Sequence, residues 1–226
     1  MECAALRGRP APAASGPEVI GLYAIALGAP RDLIGARGEP LRVFRHGELE
    51  LIHGEAPPPL SADALRAHEA AVRRIAEGAL ACLPARFGCC AADETALSQA
   101  VEPRQAELAD ALRLVRGREQ MTLRVHGALA SQPSAGGPGT RYLEQRRRAV
   151  TLPELDPLRS ALAVLVRAER VEGHSEPGLV ASVYHLIDRG GAAAYQRAVE
   201  SIRLDGLRVD ASGPWPAWSF APELGP

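Results

Sequence analysis

Leu179-Val180-Ala181-Ser182-Val183-Tyr184-His185-Leu186-Ile187 is the stretch whose reading decides the fold class. Leu179, Ala181, Val183 and Ile187 recur on one face at the two-residue period of a strand. Gly190-Gly191 ends the run and leads into a helix with the stripe Tyr195, Val199 and Ile202. Gly206 then opens a last strand over Leu207 to Ala211. Working backwards, Ala163 to Val171 reads as a strand and Leu158 to Ala163 as a last helical turn. Thr140 opens a helix carrying Tyr142, Leu143 and Val150, which Pro153 and Pro157 interrupt. Glu119 to Leu129 alternates, with Met121, Leu123 and Val125 on one face. The order from Glu119 onward is strand, helix, strand, strand, helix, strand, which is the split βαβ or ferredoxin-like order. The right-handed crossover rule then puts both helices on one face of a four-stranded antiparallel sheet.

The preceding half has its own pattern. Val19 to Leu27 is almost continuously apolar, as expected of a strand covered on both faces. Leu41 to His46 and Leu49 to His53, separated by Gly47-Glu48, predict a hairpin. Ser61 is a good N-cap for a helix to Glu77, with Leu65, Val72, Ile75 and Ala76 as its apolar stripe and Gly78 as its stop. Ala79 to Phe87 predicts a short strand that Pro84 confines to an edge, a bulge or a strand end. Asp93 caps a helix through Val101, and Pro103 sits where a second helix starts. Leu108, Leu112 and Val115 form the stripe of that helix, and Gly117 suits its end. Ser131 to Gly139, rich in Pro, Gly and Ser, is the most linker-like internal segment. The chain is therefore expected to be α+β with two domains: an N-terminal α+β domain over 18–116 and a C-terminal ferredoxin-like domain over 117–220. Residues 1–17 are expected to be a disordered tail and 221–226 a second tail.

Composition narrows the function classes. The 226 residues, 46% of them hydrophobic, suffice to bury a core without staples. A net charge of −1 gives no field for nucleic acid or an anionic membrane. All 26 basic residues are arginine, and lysine and asparagine are absent, which is the mark of a GC-rich genome rather than of phosphate binding. The four cysteines, Cys3, Cys82, Cys89 and Cys90, form neither a disulfide framework nor a zinc knuckle, and a reducing cytoplasm is the expected compartment. The first seventeen residues hold Arg7, Arg9 and three prolines without an apolar h-region, so no signal peptide is expected. No run approaches the roughly eighteen apolar residues of a membrane span.

Residues that could carry chemistry each have a plainer reading. The six histidines, His46, His53, His68, His126, His174 and His185, show no His-x-x-x-His pair or cysteine at ligand spacing. His46 and His53 flank the hairpin and could meet, but surface strand positions are the simpler expectation. Arg86 could activate Cys89 or Cys90, yet the sequence nominates no base and no oxyanion donor, and buried small hydrophobes are expected. Gly136-Gly137-Pro138-Gly139 lacks the lysine of a phosphate loop. His68-Glu69 lacks the second histidine of a zincin pair, and Arg146-Arg147-Arg148 beside Glu144 reads as a solvated helix face. No catalytic residue, cofactor or metal ligand emerges. Gly213-Pro214-Trp215-Pro216-Ala217-Trp218-Ser219-Phe220 stands out, because it holds both tryptophans between prolines that keep the backbone extended. Its rings either pack over the sheet or anchor another protein.

That segment resembles the ending of the gas vesicle protein F/L family, in which Gly-Pro-Trp-Pro is followed by an aromatic, Ser and Phe. Leu22-Tyr23-Ala24-Ile25, His68-Glu69, Leu83-Pro84-Ala85-Arg86-Phe87-Gly88 and Tyr142-Leu143-Glu144-Gln145-Arg146 resemble further family motifs in the same order, from about Val19 to Phe220. Cys89-Cys90 and Ala217-Trp218 depart from the usual residues. The resemblance implies an α+β domain followed by a ferredoxin-like one, and a role in forming gas vesicles, the hollow protein shells that give buoyancy. It implies no enzyme activity and no cofactor. The expected partners are the major gas vesicle shell protein and other minor gas vesicle proteins, with no nucleic acid and no membrane, and the expected location is the gas vesicle or cytoplasm. Trp215, Trp218 and Phe220 are the candidate contacts; Arg86, Phe87, Gly88, Tyr142, Gly213 and Pro214 are read as structural. Arg86 and Phe87 read as a turn with a buried ring. The alternative is a small ligand-binding or enzymatic module on a ferredoxin-like fold, marked by a pocket joining Cys89 or Cys90 to a histidine. RNA binding is the third reading, for which the late strands offer Tyr184 alone as a stacking residue.

Overall fold

A computed structural model describes residues 19–127, 152–174 and 178–223. They form two antiparallel sheets with helices, an α+β architecture. The first sheet contains β1 (Ile20–Leu27), β2 (Arg42–His46), β3 (Leu49–Glu55), β4 (Ala81–Pro84) and β5 (Cys90–Ala91). Its order is β2-β3-β1-β4, with β5 also paired to β1. β1 is the hub because its run is apolar on both faces, and Leu22 to Ala26 are all at most 5% exposed. The β2–β3 hairpin turns at Gly47, whose φ of +59° favours glycine. β4 is an edge strand whose last residue, Pro84, is paired with Ala24, a place where a missing N–H costs no ladder bond.

Helix α1 (Ala62–Gly78) starts at Ser61, whose Oγ accepts from the Ala64 N–H at 3.1 Å. Its buried side is Ala64, His68, Ala71, Val72 and Ile75. The expected stripe is thus rotated: Val72 and Ile75 face the sheet, whereas Leu65 is 45% exposed. The small residues Ala64 and Ala71 lie against the sheet and Leu65 is left outside. Helix α2 (Glu94–Val101) is capped by Asp93, which accepts from the Ala96 N–H at 2.7 Å. Pro103 lies in a 3₁₀ turn over Glu102–Arg104, and α3 (Gln105–Val115) begins after it. The turn absorbs the missing N–H where the intrahelical ladder has not yet begun. Leu108, Leu112 and Val115 are buried, as their spacing predicts. α1 closes one face of the first sheet with Tyr23, Ala24, Ile52 and Cys82. α2 and α3 close the other with Leu22, Ile25, Leu51 and Leu83.

The second sheet contains β6 (Arg118–Gly127), β7 (Val166–Gly173), β8 (Leu179–Asp188) and β9 (Leu207–Trp215), in the order β7-β8-β6-β9 with every neighbour antiparallel. Helices α4 (Asp156–Leu162) and α5 (Ala192–Ser201) contribute Leu158, Leu162, Tyr195 and Val199 to a core with Met121, Leu123, Val125, Ala181 and Val183. Pro153 and Pro157 occupy first-turn positions of a 3₁₀ turn and of α4, where they start helical structure. β8 is covered on both faces: Leu186 and Tyr184, on the side opposite Val183, join the core of the first sheet. β9 runs four residues beyond the expected end at Ala211, to Trp215, and Trp215 pairs with Gln120 across a register shift. The expected tail 1–17, the linker at Ser131 to Gly139 and the Thr140–Val150 helix with Tyr142 lie outside the described residues.

Candidate functional site: an aromatic groove beside the first helix

The motif Gly213-Pro214-Trp215 is the end of β9, with a cis peptide between Gly213 and Pro214. Gly213 has φ +125°, and a Cβ there would stand 2.8 Å from the Gln120 carbonyl oxygen, so only glycine fits. Pro216 and Ala217 are buried, and a 3₁₀ turn over Trp218–Phe220 follows. Trp215 is half-buried; the Arg73 guanidinium of α1 lies 4.8 Å from its ring centre. Its Nε1–H donates to Ser212 Oγ at 3.4 Å. Trp218, also half-buried, lies 6.4 Å from the His68 ring. Phe220 is 2% exposed and belongs to the core. The aromatic ending therefore divides: the two tryptophans reach the surface and the phenylalanine does not.

His68 organises the region. Its ring stacks on Tyr23 at 4.9 Å and meets Phe87 edge-on at 5.6 Å. Its Nε2 lies 3.0 Å from the Ala85 carbonyl oxygen, which can only accept, so Nε2 carries the proton. Burial pushes the His68 pKa below its ordinary value, against the Ala85 hydrogen bond. Tyr23 in turn donates to buried Glu39 at 2.7 Å and accepts from the Ala36 N–H at 2.9 Å. Burial, aided by Glu39, pushes the Tyr23 hydroxyl up to about 12. Leu65, Phe87, Trp215 and Trp218 line an open groove of about 430 Å³, rimmed by Arg66, Glu69 and Arg86. Trp215 also borders a second cleft of about 370 Å³ with Arg73, Arg118 and Arg189. The arginines are engaged: Arg73 pairs with Glu69 at 3.0 Å, and Arg189 donates to the Ala76 carbonyl at the end of α1 at 2.6 Å. This is an apolar, aromatic surface between paired charges.

Several expectations are corrected. Arg86 is exposed and paired with Glu223 at 2.9 Å, and Phe87 is half-buried rather than enclosed. Gly88 holds φ +89° in open space. Cys82 is buried and its thiol is pushed up to about 12 by burial, but Cys89 is only partly buried and Cys90 is exposed. Cys89 lies just before the two-residue strand β5 and packs partly against the core, and Cys90 is its first, exposed residue. His46 and His53 stand at opposite ends of the hairpin register and do not meet. His46 pairs with Glu102 at 2.7 Å, and His53 is 1% exposed with Nε2 3.0 Å from Glu94. His53 is thus a core residue, not a surface one, because α2 lies over it. Among the described residues no group of three or more His, Cys, Asp or Glu could hold a metal ion. Tyr184 donates to Glu172 at 2.8 Å and is half-buried.

Sequence reasoning missed one polar array. His185 is 2% exposed on β8, with Nδ1 2.6 Å from the Tyr195 hydroxyl and Nε2 2.8 Å from Glu169. Glu169 also pairs with Arg159 at 3.0 Å. The hydrogen bond from His185 and the contacts of Arg159 hold the Glu169 carboxyl down at about 2, although burial opposes them. The signal was present: His185 continues the Ala181, Val183 alternation and Tyr195 belongs to the α5 stripe.

The chain is thus a two-sheet α+β protein with an aromatic groove on its surface among paired charges. The family model "Gas vesicle synthesis protein GvpL/GvpF" matches residues 20–222, and the chain belongs to that family. Gas vesicle protein L of Streptomyces sp. (strain CB03234) is 27% identical over 233 residues, covering 85% of this chain and 87% of the relative. The crystal structure of GvpF from Microcystis aeruginosa aligns with a TM-score of 0.71 at 17% identity, covering 90% of this chain and 99% of that one. That of GvpF from Anabaena sp. PCC7120 aligns at 0.69 and 18% identity, covering 91% and 96%. The family membership implies a role in gas vesicle formation.

Proposed function

We propose that this chain is a non-enzymatic assembly protein that binds the major gas vesicle shell protein, or another minor gas vesicle protein, while the shell nucleates or grows. The observation that carries this reading is the pair of half-exposed tryptophans, Trp215 and Trp218, beside a groove floored by Leu65 and Phe87. A shell subunit with an apolar gas-facing surface needs cover before it assembles, and aromatic anchors in a groove supply such contacts. Phe220 contributes from within the core, by holding the segment in place. The site of action is then the gas vesicle or the cytoplasm around it. No helix among the described residues is long and apolar enough to cross a membrane.

The proposal includes the architecture. The first sheet with α1 to α3 forms an N-terminal α+β domain over 18–116, and the second sheet a ferredoxin-like domain over 117–220. The strand order β7-β8-β6-β9, second-third-first-fourth in chain order, supports the ferredoxin-like assignment.

A pull-down from cells expressing a whole gas vesicle gene cluster tests the function, with a Trp215→Ala/Trp218→Ala double variant beside the parent chain. The parent captures a gas vesicle component and the variant retains about a tenth or less of it. Recovery of no gas vesicle component by the parent overturns the proposal. Equal recovery by both chains removes the tryptophans from the interface.

A further inference from the structure

The segment after β9 leaves the second sheet and is held by both sheets at once. Ala217 and Phe220, 4% and 2% exposed, enter the core made by β1, β3, β4, α2 and α3. Trp218 packs against the α1 side through His68. From the second sheet, Gln120 Oε1 of β6 accepts from the Ser219 N–H at 2.9 Å. Arg170 of β7 donates to the Ser219 carbonyl at 2.6 Å, and its guanidinium lies 5.3 Å from the centre of the Phe220 ring. Within itself the segment is one tight turn, closed by the Phe220 and Ala221 N–H groups on the Ala217 carbonyl at 3.0 and 3.1 Å. Its apolar anchors thus sit in a core built mainly by the first sheet, which Leu186 of β8 also enters, and its backbone is gripped by side chains of the second.

We infer that Pro216–Ala221 is a clamp that couples the two sheets, and that its seating sets the position of Trp215 and Trp218 on the surface. Trp215 precedes the clamp and Trp218 is part of it, so unseating Phe220 moves both rings relative to α1. Local opening of such a segment needs less free energy than global unfolding when its grip is a few buried side chains and a few side-chain hydrogen bonds. Any ligand that binds the surface with the clamp seated also stabilises the junction, by linkage. The clamp stands on the geometry alone, whichever partner the surface binds.

The chain supplies its own reporter, because Trp215 and Trp218 are its two tryptophans. In the parent, tryptophan emission and far-ultraviolet circular dichroism change together during a urea titration. Arg170→Ala removes the grip on Ser219 and Phe220 from an exposed position and leaves the core intact. Its emission shifts to the red at lower urea than the loss of ellipticity. Phe220→Ala separates the two curves further, and Phe220→Leu brings them back together. Should Phe220→Ala fail to fold, Arg170→Ala decides alone. Coincident curves in Arg170→Ala, whatever their midpoint, overturn the clamp and leave Phe220 an ordinary core residue.

Discussion

The two sheets solve the same packing problem in different ways. The first is sealed on both faces by aliphatic side chains, with its buried polar groups, Glu39, His53 and His68, held by one or two hydrogen bonds each. The second carries a connected polar chain through its helix-covered side: Tyr195 on α5, His185 on β8, Glu169 on β7 and Arg159 on α4. Arg159 continues to Asp156 at 3.1 Å and to the Leu152 carbonyl at 3.0 Å. An apolar core is tolerant of register but intolerant of charge. A polar chain is costly when incomplete and specific when complete, since each member fixes the next. The second sheet relies on its polar chain to position two helices, and the first relies on volume.

That contrast predicts different responses to deletion. Ile25→Ala removes a fully buried side chain from the central strand of the first sheet. It lowers unfolding free energy by about 2–5 kcal/mol in urea titrations. A loss below about 1 kcal/mol would break the claim that volume holds this sheet. Tyr195→Phe keeps volume but leaves the imidazole of His185 short of a partner, and costs about 1–3 kcal/mol. His185→Leu combined with Tyr195→Phe then costs less than the two single changes added, because the orphaned group is gone. Strict additivity would mean that the two side chains do not act as one unit.

Much of this contrast was legible in the sequence, but unevenly. The strands and helices that carry a clean period, β1, β3, β6, β8, α3 and α5, emerge from it within a few residues. Ser61 and Asp93 mark two helix starts correctly because the capping oxygen is a local feature. The rotation of α1 was not legible. Its period fits Leu65 as well as His68, and only the sheet beneath decides between a large residue outside and an imidazole stacked on Tyr23. The same holds for Leu186, whose burial comes from the first sheet and not from its own strand's alternation. At the candidate site the segment was identified, and its division into half-buried tryptophans and a buried Phe220 was not. Three aromatic residues within six positions look alike until a 3₁₀ turn sends the third inward.

The smallest effect is also the one that separates the two sheets by pH. His53 on β3 and His68 on α1, the helix over the first sheet, have pKa values lowered from 6.5, chiefly by burial. The unfolded chain takes up protons near that value while the folded chain resists them, so stability falls as pH drops below about 6.5. Glu169 in the second sheet has the opposite chemistry: its folded carboxyl sits near 2 against 4.5 for the free group. Its contribution is full above 4.5 and drains as pH falls towards 2. Urea titrations at pH 8, 6, 5 and about 3.5 should therefore show two windows. His68→Gln makes the decline below pH 6.5 shallower without abolishing it, because His53 is lowered in the same direction. Glu169→Gln flattens the window below 4.5. If His68→Gln altered only the lower window, the assignment of charge intolerance to the first sheet would be wrong, because no carboxylate change accompanies that substitution.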